Sequence, residues 1–263
     1  MKKSLVSMWM ILAAIVFVLS ACGESESNGD SKDTTNTSEE KVYKVGTDAA
    51  YAPMEYIDDK GDIVGIDVDV VNAIAEQAGI EVTFDNVGWE PLFTAVKNGE
   101  VDIGMSSITI NDERKETYDF TDPYFEANQL ILVKEDAGIE SLADLKDKKV
   151  AVQINTTGHE VAKKLQGDTC ANILAYENLP IAIQEMLNGN AVAVIGDNAV
   201  VLDYVKNNPK TKFKTIEDDS FEKEYYGLMV KKGNKELVDK LNKAIQELKD
   251  NGKLKEITGM DME

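Results

Sequence analysis

From Val42 onward the spacing of hydrophobic positions switches repeatedly between two periods. Val42-Tyr43-Lys44-Val45-Gly46 alternates as a strand with one buried face does, a turn containing Pro53 follows, and residues 63–78 hold a short strand and then an amphipathic helix built on Val70, Val71, Ala73, Ile74, Ala75 and Ala78. Asp67 and Asp69 stand at the start of that helix, a position that reads as capping rather than as a metal site. Val82-Thr83-Phe84 predicts a further strand, Gly88 opens a helix that Asn98-Gly99 ends, and residues 101–105 predict another strand. Gln129-Leu130-Ile131-Leu132-Val133 is a continuous apolar run. Beyond it comes a second series of elements at 142–146, 149–153, 158–165, 172–176, 180–187 and 191–195, and a last helix at 236–251. Strands alternating with helices predict α/β units, and the second series predicts a second lobe.

Between the two series, residues 106–124 read Ser-Ser-Ile-Thr-Ile-Asn-Asp-Glu-Arg-Lys-Glu-Thr-Tyr-Asp-Phe-Thr-Asp-Pro-Tyr. The strand at 101–105 delivers Ser106, Ser107 and Thr109, and Asn111 or Asp112 caps a short helix with Arg114 in its first turn. Hydroxyls, free backbone N–H groups and a guanidinium suit a carboxylate, because arginine offers a rigid fork for two parallel bonds. Residue types alone equally allow a turn whose surface arginine pairs with Glu113 or Glu116.

The N-terminus adds an address. Met1-Lys2-Lys3, an apolar run and Leu19-Ser20-Ala21-Cys22 make a basic, hydrophobic and small-residue series, which predicts a signal peptide over 1–21. Residues 22–41 are rich in Ser, Thr, Asp, Glu, Asn and Gly, too polar to order themselves, and read as a flexible tether. A chain of 263 residues with 43% hydrophobic content has material for one large or two modest domains. Its formal charge of −20 becomes −22 when Lys2 and Lys3 leave with the leader, so nucleic acid is an unsuitable partner and cations are favoured weakly. Cys170 then has no partner for an intrachain disulfide and reads as a small buried or half-buried side chain.

Three motifs carry a family resemblance: Gly46-Thr47-Asp48-Ala49-Ala50-Tyr51-Ala52-Pro53, the Arg114 stretch, and Gly196-Asp197-Asn198-Ala199-Val200. In this order and spacing the chain from Val42 onward resembles the polar amino-acid-binding proteins of bacterial ABC importers, and most of all the arginine, lysine and histidine binders of Gram-positive bacteria. The resemblance implies an α/β, two-lobed, type II periplasmic-binding-protein fold with a two-strand hinge. Lobe 1 would be 42–127 plus 225–263 and lobe 2 would be 128–224.

It also implies roles. Cys22 would be the acylated first residue of the mature chain, anchoring a monomer to the outer face of a Gram-positive cell membrane, beside its permease subunits. Arg114, with Thr109, Ser107 and Ser106, would hold a ligand carboxylate from lobe 1. Asp197 with the turn of Thr156 and Thr157 would engage the ammonium and carboxylate from lobe 2, with Gln153 also among the ligand-binding residues. Asp48 and Tyr51 would read the side chain, with Trp89 stacking on it. An acid beside aromatics fits arginine first, then lysine and histidine, and glutamine as the alternative.

Two departures from the family pattern stand out. Asn155 replaces the glycine often found before the Thr pair, and asparagine tolerates left-handed backbone angles. The C-terminus lacks a Trp-Phe-Gly pattern, which bears on terminal packing alone. A dehydratase on the same fold would need an acid or base in reach of substrate. The single histidine, His159, reads as solvent-facing, and the sequence offers neither a Cys/His metal cluster nor a phosphate loop, so no cofactor is expected. A sensor domain is disfavoured because the chain ends without a second membrane segment.

Overall fold

The computed structural model describes residues 41–262. The expected signal peptide, the Cys22 acylation site and all but the last residue of the tether lie outside the described residues. Of the rest, the alternating stretch forms β1 (Val42–Thr47), followed by a small three-stranded sheet of β2 (Ala50–Tyr51), β3 (Glu55–Ile57) and β4 (Ile63–Val64). Next come α1 (Ile66–Ala78), β5 (Glu81–Asn86), α2 (Trp89–Asn98), β6 (Ile103–Gly104), α3 (Asp112–Thr117) and β7 (Tyr118–Phe120). After β8 (Phe125–Ala127) the second series runs β9 (Gln129–Lys134), a 3-10 turn at Leu142–Leu145, β10 (Val150–Gln153), α4 (Thr157–Gln166), β11 (Ile173–Tyr176), α5 (Leu179–Leu187), β12 (Ala193–Asp197), α6 (Asn198–Asn207) and β13 (Phe213–Ile216). The chain closes with β14 (Glu224–Tyr226), β15 (Met229–Lys231), α7 (Lys235–Asp250) and α8 (Lys253–Thr258).

These elements build two five-stranded sheets. The first has the order β5-β1-β6-β15-β7, and the second β11-β10-β12-β9-β13. Strands β10 and β12 are buried along their whole length, which explains the apolar runs at 150–152 and 193–195, since parallel strands covered on both faces lose the hydrophobic alternation. In the first sheet, α1 buries Val68, Val70, Val71, Ile74 and Ala75 against α7, whose own stripe is Leu237, Leu241, Ala244, Ile245 and Leu248. Each Val, Leu or Ile among them contributes about 1.5–3 kcal/mol by leaving water. Helix α7 therefore returns to the first half of the fold.

Between the two sheets in chain order, β8 pairs antiparallel with β14, Glu224 facing Ala127. Two strands thus link two α/β halves, the two-lobed architecture.

One glycine decides how the site is assembled. Gly65 has φ +133, and a Cβ there would stand 2.2 Å from the Met54 carbonyl oxygen, so only glycine fits. This close approach lets the Asp67 N–H donate to Met54 O at 2.9 Å, which seats the start of α1 on the turn before β3. The expectation that Asp67 and Asp69 cap α1 is corrected here. Gly65 takes the cap position with no side-chain cap, and Asp67, one residue into the helix, turns inward and is fully buried.

Candidate functional site

The docking of α1 places two carboxylates, Glu55 and Asp67, side by side with no exposure to solvent. Ser106 Oγ donates to Glu55 Oε1 at 2.7 Å, and the Ser107 N–H donates to Asp67 Oδ2 at 2.8 Å. The Tyr124 hydroxyl also donates to Asp67 Oδ2, at 2.9 Å. Burial, and then the charge of Asp67, push Glu55 well above the usual carboxylate range, while burial lifts Asp67 to about 6. Two like charges so placed cannot both ionise cheaply, so the pair retains a proton. Above it Ser107 holds φ 49, a left-handed angle costly for a residue with a Cβ. The paired acids hold that strained turn in place.

Arg114 is built from the other side of the same loop. Asn111 is the cap of α3, accepting the Arg114 N–H at 2.8 Å, as the capping signal predicted. The guanidinium then donates to Thr109 O at 2.8 Å and, across to the second sheet's side, to Asn155 O at 3.3 Å. Its carbon lies 5.5 Å from the Trp89 ring centroid and 5.4 Å from that of Phe93. Aromatic faces stabilise a desolvated cation. Trp89 is core and wall at once: it packs on Leu92 and Phe93 yet borders the cavity, with its indole N–H unpartnered among the described residues.

The second lobe supplies Asp197. It occupies the first position before α6 but makes no cap bond. Instead Oδ1 accepts from Gln129 Nε2 at 2.6 Å and Oδ2 from the Tyr226 hydroxyl at 2.6 Å. Gln129 is its cross-strand partner on β9, so the pleat brings the two side chains together. Burial, followed by the charge of Glu224, raises Asp197 to about 6.

Thr156 caps α4, accepting the His159 N–H at 3.2 Å. The reading of His159 as solvent-facing is corrected: it is 9% exposed, and its Nδ1 accepts the Asn155 N–H at 3.1 Å, a bond that turns the ring inward. Asn155 has φ 55, the left-handed angle expected where relatives carry glycine, and its side chain donates to Glu90 at 2.7 Å.

Gln153 reaches Asp48 at 3.3 Å, a further contact between the halves, and burial raises the Asp48 carboxyl. These groups surround a small cavity of about 20 Å³. Every candidate ligand residue read from the sequence, from Asp48 to Asp197, lines it, and so does Glu55. No group of three or more His, Cys, Asp or Glu suited to a metal occurs among the described residues.

The arrangement offers a cation on one side and buried carboxylates on the other, a cradle for a zwitterion. The family of bacterial extracellular solute-binding proteins, family 3, matches residues 43–259. The chain is 39% identical over 249 residues to a probable histidine-binding protein of Neisseria gonorrhoeae, covering 94% of this chain and 91% of that one. It is 36% identical over 258 residues to the arginine-binding extracellular protein ArtP of Bacillus subtilis, covering 98% and 96%. Among solved structures, the arginine-, lysine-, histidine-binding protein ArtJ of Geobacillus stearothermophilus superposes with a TM-score of 0.80 at 49% identity, over 82% of this chain and 93% of that one. The chain belongs to the family 3 solute-binding proteins. It is a binding protein and not an enzyme.

The sequence reading of this solute-binding protein missed Glu55, Asp67, Phe93, Gln129 and Glu224. It also gave Ser106, Ser107 and Thr109 hydroxyls to a ligand, whereas the structure directs them to the chain's own Glu55 and Glu224. The two-residue period of β14 could have pointed to Glu224, because it places Glu224 on the face of the fully buried Tyr226.

The buried acids make stability depend on pH. Asp67 and Asp197 titrate near 6 in the folded chain against an ordinary 3.8, so the folded state holds protons that the unfolded chain releases. Their contribution is full below the unfolded value and is lost as pH rises through the folded one. The ligand-free protein is therefore expected to melt at a higher temperature at pH 5 than at pH 7, with Asp67→Asn narrowing the gap. Calorimetric melting curves showing equal or lower midpoints at pH 5 would contradict it.

Proposed function

We propose that this solute-binding protein is the extracytoplasmic receptor of an amino-acid ABC importer, taking a basic amino acid, arginine ahead of lysine and histidine, in the cleft between its lobes. One observation carries the reading: Asp197 lies buried at a helix start without capping it, facing the same space as the Arg114 guanidinium and Asp48. A basic amino acid brings one carboxylate and two cations, and Arg114, Asp197 and Asp48 offer the complementary charges. The names of the similar proteins, arginine and histidine binders, support the same class.

In this reading Arg114 takes the carboxylate from lobe 1, residues 42–127 plus 225–263. Asp197 takes the α-ammonium from lobe 2, residues 128–224, and Asp48 with Tyr51 and Trp89 takes the side chain. A ligand touching both lobes favours the closed form by its differential affinity, and the permease subunits detect that form. Cys22, acylated after cleavage of 1–21, tethers a monomer to the membrane. No cofactor is required.

Native mass spectrometry of the purified protein tests the reading, with a retained mass of arginine, lysine or histidine expected. A retained glutamine or cystine would count against the basic class. Separately, Cys22→Ser is expected to move the protein from the membrane fraction to the medium, because one diacylated cysteine supplies its hydrophobic attachment. A variant that stays with the membranes refutes the anchor.

A further inference from the structure

Glu224 opens the return strand β14 and belongs to none of the motifs discussed so far. Its Oε2 accepts the Thr109 hydroxyl at 2.6 Å and the Thr157 hydroxyl at 2.8 Å, and its Oε1 accepts from Gln129 Nε2 at 3.0 Å. Thr109 comes from the loop that carries Arg114, whereas Thr157 opens α4 and Gln129 opens β9, both on the second sheet's side. Glu224 is the last residue of the 128–224 span and lies on the hinge strand paired with β8, so its one carboxylate joins Thr109 of the first half to Thr157 and Gln129 of the second.

The Thr109 tie is a fixed one. Thr109 forms a β-bridge with Tyr226, and the neighbouring Ile110 N–H donates to Tyr225 O at 2.8 Å, so backbone contacts keep Thr109 beside Glu224. The ties to Thr157 and Gln129 run from this hinge strand to α4 and β9 of the second sheet's side, and they depend on that side standing where it stands here. Each threonine hydroxyl has a single proton, and both are directed to Glu224, so neither remains to donate to a ligand carboxylate.

We infer that Glu224 is a positioning residue for closure: its carboxylate latches Thr109 of one lobe to Thr157 and Gln129 of the other, and so stabilises the closed form whichever amino acid lies between them. The inference rests on the receptor reading above for its ligands, but not for the latch itself. Its amide contact adds a second consequence. Gln129 Nε2 lies 2.6 Å from Asp197, 3.0 Å from Glu224 and 3.1 Å from Thr157 Oγ1, so the amide joins both carboxylates and the latch also holds Asp197.

A latch acts on the lobes and not on the ligand side chain. Glu224→Ala is therefore expected to weaken arginine and histidine by the same factor, about tenfold or more, because charge-assisted bonds to two hydroxyls and an amide are lost. Small-angle X-ray scattering of the ligand-free protein is expected to give a larger radius of gyration for Glu224→Ala than for the unaltered chain, with unchanged circular dichroism. Glu224→Gln keeps the shape and one acceptor oxygen and should move both readouts the same way by less. If Glu224→Ala fails to fold, Glu224→Gln decides alone by those two readouts.

Calorimetric affinities within about threefold of the unaltered protein, tighter binding, or a loss confined to one ligand would overturn the latch. Should the unaltered protein bind no amino acid, the receptor reading falls. The latch is then judged on the ligand-free scattering alone, where equal radii overturn it.

Discussion

Arg114→Ala is expected to weaken every amino-acid ligand by about 2–5 kcal/mol, roughly a thirtyfold to several-thousandfold rise in Kd, because it leaves a desolvated carboxylate without its cation. The loss is large because the protein itself holds the guanidinium in place. Bonds to Thr109 O and Asn155 O, two aromatic faces and the Asn111 cap fix its position, so no ordering cost offsets its gain. The fold should tolerate the change, since α3 contains no buried residue. Calorimetry showing affinity within about threefold of the unaltered protein would remove Arg114 from the site.

Asp197→Asn is expected to produce a comparable loss of affinity, about 2–5 kcal/mol, by taking the counter-charge from a buried ammonium. Its effect on stability should run the other way. Asp197 titrates near 6 because burial and the Glu224 charge oppose its ionisation, so at neutral pH the folded chain carries a carboxylate it holds at a cost. The amide removes that cost and keeps an oxygen for Tyr226. The ligand-free variant should thus melt no lower than the unaltered protein at pH 7, while arginine no longer raises its midpoint. A variant that melts lower and still binds arginine normally would show Asp197 to be a structural residue.

Much of this site was legible because its parts are encoded over a few residues. Asn111 three positions before Arg114 announced the cap, Gly99 the end of α2, and Asn155 the left-handed turn, each through local backbone chemistry. The periodicity of α1 showed which face would be covered. The family motifs, read residue by residue, singled out the side chains that border one cavity.

What stayed hidden depends on approach between distant segments. Asp67 has the sequence context of a helix cap, and only the contact of Gly65 with Met54 turns it under Ser107. Glu224 lies in a run of charges at 222–224 that reads as a solvated face, yet the β8 pairing carries it between the lobes. His159 sits on a helix of mostly polar sequence, and its inward turn follows from the Asn155 N–H four residues earlier. The small sheet of β2, β3 and β4 has strands of two or three residues, too short for any period to show.

The central claim, a cleft matched to a cationic amino acid, rests on Asp48 as its most exposed step. A thermal-shift panel with arginine, lysine, histidine, glutamine and glutamate tests it most directly. A ligand at a hundred times its Kd stabilises the fold by about 2.7 kcal/mol, enough to rank the five. The account predicts the largest shift for arginine, smaller shifts for lysine and histidine and essentially none for glutamate, with Asp48→Asn costing the cationic ligands about 1.5–3 kcal/mol and glutamine less. A panel in which glutamine outranks all three basic amino acids would contradict it.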